Sequence, residues 1–407
     1  MNEATRASTG NAWRRGVPAG VWVLGLVSLL MDVSSEMIHS LLPVYLVVVL
    51  GASMETVGLI EGIAEATASI TKIFSGALSD WLGRRKLLAA AGYGLAALTK
   101  PIFPLAPSIG WLVAARFVDR IGKGIRGAPR DALIADIAPP HLRGESFGLR
   151  QSLDTVGAFV GPLLAIALMW WTADNYRFVF WCAVVPAVLS FALIAFAVQE
   201  PERQTPARAV RNPISRAEIA NLGRAYWLVV AIATVFTLAR FSEAFLILRA
   251  QGAGLSVTWI PGVLVVMNVV YALAAYPAGI LSDRVSRTAV LAAGIMLLII
   301  ADIVLALAAS LPVIAAGIVL WGLHMGLTQG LLSALIADTA PEELRGTAFG
   351  LFNLLGGLAM LAASVLAGAL WDAAGPRVTF IAGAALAALA LAALALVGSR
   401  VTARDKG

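Results

Sequence analysis

Two carboxylates, Asp32 and Glu36, stand four residues apart, with His39 about one turn further on. On a helix this spacing puts them on one face. The run from about residue 19 to 49 holds no other charged side chain. Carboxylates in such an apolar setting are suited to bind and release protons. A second stripe carries Glu61, Glu65 and Lys72, spaced four and seven apart. The densest stripe is Arg116, Asp119, Arg120, Lys123 and Arg126, and a fourth holds Arg150 and Asp154. Arg240 with Glu243, then Asp302 and His324, are the main candidates further on. Asp32 and Glu36 are candidates for proton coupling. Glu61, Glu65, Asp119, Arg120, Lys123, Arg150, Asp154, Arg240 and Glu243 are candidates for lining a polar cavity.

Each assignment has a structural competitor. Arg126, Arg130 and Lys123 sit near a helix end and could extend to lipid headgroups. Glu61 and Glu65 could form static pairs with Lys72 or Arg120. His39 and His324 fit a purely hydrogen-bonding role, and Trp259, Trp321 and Phe352 fit packing as well as they fit a substrate wall.

The elements that must position these residues follow from composition. The 407 residues are 59% apolar and 13% charged, with mean hydropathy +0.85. A soluble domain is nearer a quarter charged. About 240 apolar residues suffice for roughly twelve spans of about 20 residues. Punctuation by turns and charges places them near 19–49, 55–78, 87–105, 110–136, 145–170, 176–198, 225–249, 258–281, 288–308, 312–338, 345–370 and 377–398. The fold class expected is an all-α polytopic membrane protein. A tail at 1–18, a six-helix half at 19–198, a linker at 199–224, a second half at 225–398 and a tail at 399–407 complete the division. One cysteine, Cys182, and three histidines are too few for a disulfide or a Cys/His zinc cluster. No nucleophile–base set and no nucleotide-binding loop is present, so neither metal, cofactor, catalytic group nor primary pump is expected.

Basic residues fix the expected orientation, because Lys and Arg accumulate in cytoplasmic loops. With the N-terminus inside, Arg6, Arg14, Arg15, Arg84, Arg85, Lys86, Arg143, Arg203, Arg284 and Arg404 are among those on the cytoplasmic side. Only Arg177, Arg249 and Arg377 face the other way. The net charge of +6 is thereby explained by topology and lipid contact, without nucleic acid. The first apolar run is too long for a signal peptide, so a retained N-terminus and an inner or plasma membrane location are expected.

The chain also repeats itself. Gly76-Ala77-Leu78-Ser79-Asp80 recurs as Gly279-Ile280-Leu281-Ser282-Asp283, and Ala132-Leu133-Ile134-Ala135-Asp136 recurs as Ala334-Leu335-Ile336-Ala337-Asp338. A near-constant offset of 202 to 203 means a duplicated unit in parallel orientation. The copies differ in charge: Ile318, Trp321, Gly322, Met325 and Thr328 stand where the first has Arg116, Asp119, Arg120, Lys123 and Arg126.

The stretch Gly76 to Lys86, with Asp80, Gly83, Arg84 and Arg85, resembles the loop signature between spans two and three of the major facilitator superfamily. It departs at Trp81, and in the second copy Ser286 stands in place of the glycine. The resemblance runs over essentially the whole chain. It implies a twelve-helix fold of two halves that rock about a midplane site, with Asp80 latching one state and Gly76, Gly83, Arg84, Arg85 and Asp136 in the gating loop. Arg116, in Ala114-Ala115-Arg116-Phe117, resembles the family's fourth-span arginine, which implies a role in proton coupling. Gly157, Gly161 and Pro162 resemble the first part of the antiporter signature, a glycine-rich packing motif, but Ala165 and Ile166 stand where it ends in Gly-Gly. The expected function is proton-coupled efflux of a small amphipathic or anionic molecule by a monomeric transporter. Uptake of an organic acid or metal chelate is the alternative, and a non-transporting receptor or scaffold a remote one.

Overall fold

The computed structural model describes residues 17–82, 84–139, 142–200, 219, 221–341 and 344–401. Gly83, most of the linker and the side chain of Asp80 lie outside the described residues. Within them the chain is 87% helical, without a strand. Apolar segments in lipid have no water for their backbone polar groups and close hydrogen bonds internally, as helices.

The first half contains α1 (Ala19–His39), α2 (Met54–Leu82), α3 (Arg85–Thr99), α4 (Ile109–Ile137), α5 (Arg143–Trp171) and α6 (Tyr176–Ala192). The second contains α7 (Arg224–Ala239), α8 (Ala244–Gly252), α9 (Gly262–Arg284), α10 (Arg287–Leu307), α11 (Leu311–Thr339) and α12 (Arg345–Val401). Nine stretches among the described residues are long and apolar enough to cross a membrane. The helices α2 and α4 are not among them because they carry the charges, yet each has 29 residues. At 1.5 Å per residue that is roughly 40 Å, more than the ~30 Å hydrocarbon core.

Glycine and proline set the irregularities. Pro101 has no N–H to continue α3, and the chain resumes as the short turn Ile102–Leu105. Expected spans 345–370 and 377–398 are two helical arms, carried here under the single label α12 and joined without a loop at Gly375, whose φ of 81° suits glycine and is followed by Pro376 as the first residue of the outgoing arm. Span seven is not one helix. Between α7 and α8 the chain leaves helical geometry from Arg240 to Glu243, with Arg240 at φ −105° and ψ 82°.

In the first half α1 packs on α5 and α6, and α4 on α2 and α3; in the second, α11 packs on α9 and α10, and α12 on α7 and α10. Two seams join the halves, α2 along the first arm of α12 and α5 against α9. The apolar core is shared at one end only. Around the α1–α2 connection, Leu42, Tyr45 and Phe180 belong to the same core as Phe245, Ile247 and Val263 of the second half. At the other end, where α2 meets α3, the first half keeps a separate core of Val21, Leu24, Met31, Tyr93, Ile134 and Ile194. The halves are therefore sealed at the α1–α2 end and divided at the other. The repeat is visible in three dimensions, since Arg85 pairs with Asp136 at 2.8 Å and Arg287 pairs with Asp338 at positions 202 residues later.

Candidate functional site

Between the halves lies a cavity of about 330 Å³. Glu36, His39, Glu61, Glu65, Arg120, Lys123 and Ala158 line it from the first half, and Arg240, Phe241, Ser242, Glu243, Asn268, Trp321, Gln329 and Met360 from the second. It sits at the low end of the range for small-molecule sites.

Glycine brings the backbones close enough to form its first-half wall. A Cβ at Gly161 would stand 2.8 Å from Glu36 Cβ and from the Val33 carbonyl, and one at Gly157 would stand 3.0 Å from Asp32 Cβ. The motif thus seats α5 directly against the carboxylate face of α1, and Pro162 follows inside the helix. Likewise, a Cβ at Gly92 would stand 2.7 Å from the Gly122 carbonyl, where α3 meets α4.

The wall carries a chain of charges. Arg116 Nη2 donates to Glu61 Oε2 at 2.9 Å, and both side chains are buried. His39 Nε2 lies 3.5 Å from the same carboxylate oxygen, and His39 Nδ1 lies 3.6 Å from Glu36 Oε2. One imidazole therefore spans carboxylates of α1 and α2. Arg120 donates to Glu65 at 3.3 Å. Behind them, Lys100 Nζ donates to Asp119 at 2.9 Å and to Ser35 Oγ at 3.1 Å, joining α1 and α4 through the end of α3. Lys100 was not singled out from the sequence, although a lone lysine inside the apolar run 87–105 was its signal.

Several expectations need correction. Asp119, Arg150 and Asp154 do not line the cavity. Asp119 is held behind α4 by Lys100, while Arg150 donates to Asp154 and lies 3.7 Å from Asp131. Arg126 and Arg130 do not extend to headgroups: both are buried, Arg126 over the Tyr93 ring and 4.0 Å from Asp32, Arg130 donating to Ser28 Oγ at 2.8 Å. Lys72 pairs with neither Glu61 nor Glu65, since α4 supplies both partners. Asp32, unlike Glu36, is not among the residues lining the cavity and lies 4.0 Å from Arg126. Trp259 is exposed, Phe352 is partly buried, and Trp321 alone of the three expected aromatics stands at the cavity. Around the connection between α2 and α3, Arg84 is exposed, Arg85 also donates to the Ala132 carbonyl at 2.6 Å, and a Cβ at Gly76 would stand 3.4 Å from Ala128.

The second half is sparser. Asp302 and His324 are fully buried, and neither carboxylate oxygen nor ring nitrogen has a hydrogen-bond partner among the described residues. His324 stands edge-on to Phe236 and Trp321. The amides of Asn268 and Gln329, unnoticed in the sequence, complete the wall.

Membrane-length helices in two repeated halves around a polar cavity define a multi-pass membrane transporter. The Major Facilitator Superfamily model matches residues 24–269 and 254–407, and the chain belongs to that family. It is 34% identical over 382 residues to the uncharacterized MFS-type transporter MJ1317 of Methanocaldococcus jannaschii, covering 92% of this chain and 93% of the relative. It is 29% identical over 177 residues to the multidrug resistance protein MdtH of Yersinia enterocolitica, 42% of each chain. Among solved structures, a bacterial homolog of the human lysosomal transporter Spinster, inward-facing and unoccupied, aligns with a TM-score of 0.76 at 17% identity, covering 95% of this chain and 97% of that one. A POT family transporter bound to a thioalcohol-conjugated peptide aligns at 0.80 with 12% identity over 95% and 97%. These two likenesses concern the fold. The protein moves a small molecule across a membrane and is not an enzyme.

Proposed function

We propose that this transporter exports a small amphipathic or anionic molecule in exchange for protons, by alternating access. The observation that carries this reading is the cavity walled by both halves, where the lining residues Glu36, His39 and Glu61 form one linked chain with the buried Arg116 next to them. A proton entering or leaving that chain changes the charge facing the substrate, and a ligand shifts a two-state equilibrium by its differential affinity for the states. Asp32, Glu36 and Arg116 are assigned to coupling. Gly157, Gly161 and Pro162 hold α5 against α1, and Gly76, Arg84, Arg85 and Asp136 belong to the gating region. The multidrug resistance name of the MdtH relatives supports export. We further assign twelve spans in halves 19–198 and 225–398, both termini to the cytoplasm of an inner or plasma membrane, and a monomer. On that orientation the described conformation opens inward.

The test is accumulation of radiolabelled benzoate and of the dye ethidium in cells with and without the protein, each with and without a protonophore. Lower accumulation that the protonophore abolishes is the expected result. Higher accumulation would replace export by uptake, and insensitivity to the protonophore would remove proton coupling.

A further inference from the structure

The buried cations of the first half, and Arg150 beside them, all have partners among the described residues. Arg116 is held by Glu61, Arg120 by Glu65, Lys100 by Asp119 and Arg150 by Asp154. Arg126 rests on Tyr93 near Asp32, and Arg130 on Ser28 and Asp131. Lys123 is different. It stands exposed in the cavity wall, and no carboxylate of the described residues lies within ion-pair distance of it. Across the cavity Arg240 also has no carboxylate within ion-pair distance among the described residues. It projects from the break between α7 and α8, touches the Phe236 ring at 5.7 Å, and leaves its buried Nε without an acceptor. Cations at membrane depth ordinarily pair with counter-charges or face a polar cavity with a functional role. Of the carboxylates in the wall, Glu61 and Glu65 are taken by arginines and Glu36 faces His39, which leaves Glu243. Lys123 and Arg240 are thus the two cations of the wall without an ion-pair partner among the described residues.

We propose that Lys123 and Arg240 together hold the anionic head of the transported molecule, a small organic monoanion whose apolar body lies against Phe241 and Met360. The assignment rests on the transport reading above and narrows its substrate class. Arg116 and Arg120, the other basic candidates of the dense stripe, are excluded because their carboxylate partners already neutralise them. Because Lys123 belongs to one half and Arg240 to the other, the anion binds best in conformations that bring both within reach. Binding is thereby coupled to the motion of the halves.

Equilibrium binding to the full chain in lipid nanodiscs tests this without any gradient. The probes are benzoate and 1-naphthalenesulfonate as anions and tetraphenylphosphonium as an apolar cation. Saturable binding of at least one anion, competed by the other and not by the cation, is expected. Lys123→Gln and Arg240→Gln should each weaken it about tenfold or more, the scale of one lost charge-assisted hydrogen bond, whereas Lys72→Gln should not. Lys123→Arg should restore most of the affinity, and unchanged thermal midpoints would show that the variants are folded. Saturable binding of the cation alone, no saturable anion binding, or wild-type affinity in both glutamine variants would overturn the proposal. Anion binding through these residues without transport in cells would instead sink the transport reading alone. Export that persists in the Lys123→Gln, Arg240→Gln double variant would sink this one alone.

Discussion

A carboxylate that is 1% exposed inside a membrane protein needs a counter-charge close by, and Glu61 has one in Arg116 at 2.9 Å, with His39 3.5 Å from the same oxygen. Removing one partner of a buried pair leaves the other uncompensated, at about 3–5 kcal/mol. Glu61→Gln should therefore lower the thermal midpoint of the purified protein sharply, and Glu61→Gln with Arg116→Gln should recover more than half of the loss. Additive losses across that double-mutant cycle would show that the two side chains are independent. The same cycle applies to Lys100 and Asp119: Lys100→Met should destabilise on a similar scale, and adding Asp119→Asn should restore much of it. The types and positions of these charges were legible in the sequence, because ionisable residues stand out against an apolar background. Their partners were legible only in part: Arg120 was one of the two candidates named for this pair of glutamates and does hold Glu65, whereas Arg116 was not named for Glu61. Helical spacing puts Glu61 and Glu65 on one face of α2, but it cannot say that this face meets Arg116 and Arg120 of α4 and turns Lys72 elsewhere.

At the scale of elements, close packing of α1 on α5 depends on glycine at two positions. A Cβ at Gly161 would sit at 2.8 Å from two atoms of α1, and the backbone carbonyl of Val33 has little freedom to move. Gly161→Ala should therefore cost about 1–3 kcal/mol through overpacking. Gly148→Ala in the same helix, where nothing stands within 4 Å of the added carbon, should be neutral or stabilising by up to about 1 kcal/mol, since alanine is the better helix former. Thermal midpoints of the two variants decide the matter; equal values would mean that α1 and α5 are not packed as described. The duplicated segments and the approximate spans were legible from hydropathy and the 202-residue offset. The break at Arg240 to Glu243 was not, because three polar residues inside an apolar run of helical length give the same pattern whether the helix continues or stops. The division of the last two spans was legible as well, because Gly375-Pro376 marks it, although the chain turns there within a single glycine and not through a longer loop.

The molecule as a whole is closed at the α1–α2 end by contacts that must break if the cavity is to open there. Asp372, at the end of the first arm of α12, accepts from the backbone N–H groups of Met54 at 3.0 Å and Glu55 at 2.8 Å. The second half thus caps the first helix turn of α2. Asp174 accepts from Thr258 at 2.7 Å across the other seam, between α5 and α9. Below the cap, α2 and α12 touch through glycine, and a Cβ at Gly58 would stand 2.1 Å from the Ser364 carbonyl. A cap is worth about 0.5–2 kcal/mol, so Asp372→Ala should shift the equilibrium about 2- to 30-fold toward conformers open at this end. Gly58→Ala should shift it further, because the added carbon cannot be accommodated until the helices part. Spin labels at Val49→Cys and Ala374→Cys, one on each half near the seal, in a Cys182→Ala background, report the separation directly. Both variants should populate a longer distance at the expense of the shorter one, with Gly58→Ala the larger effect. Unchanged distance distributions in both would mean that this seam does not open in the transport cycle, and the halves would then have to move about the α5–α9 contact instead.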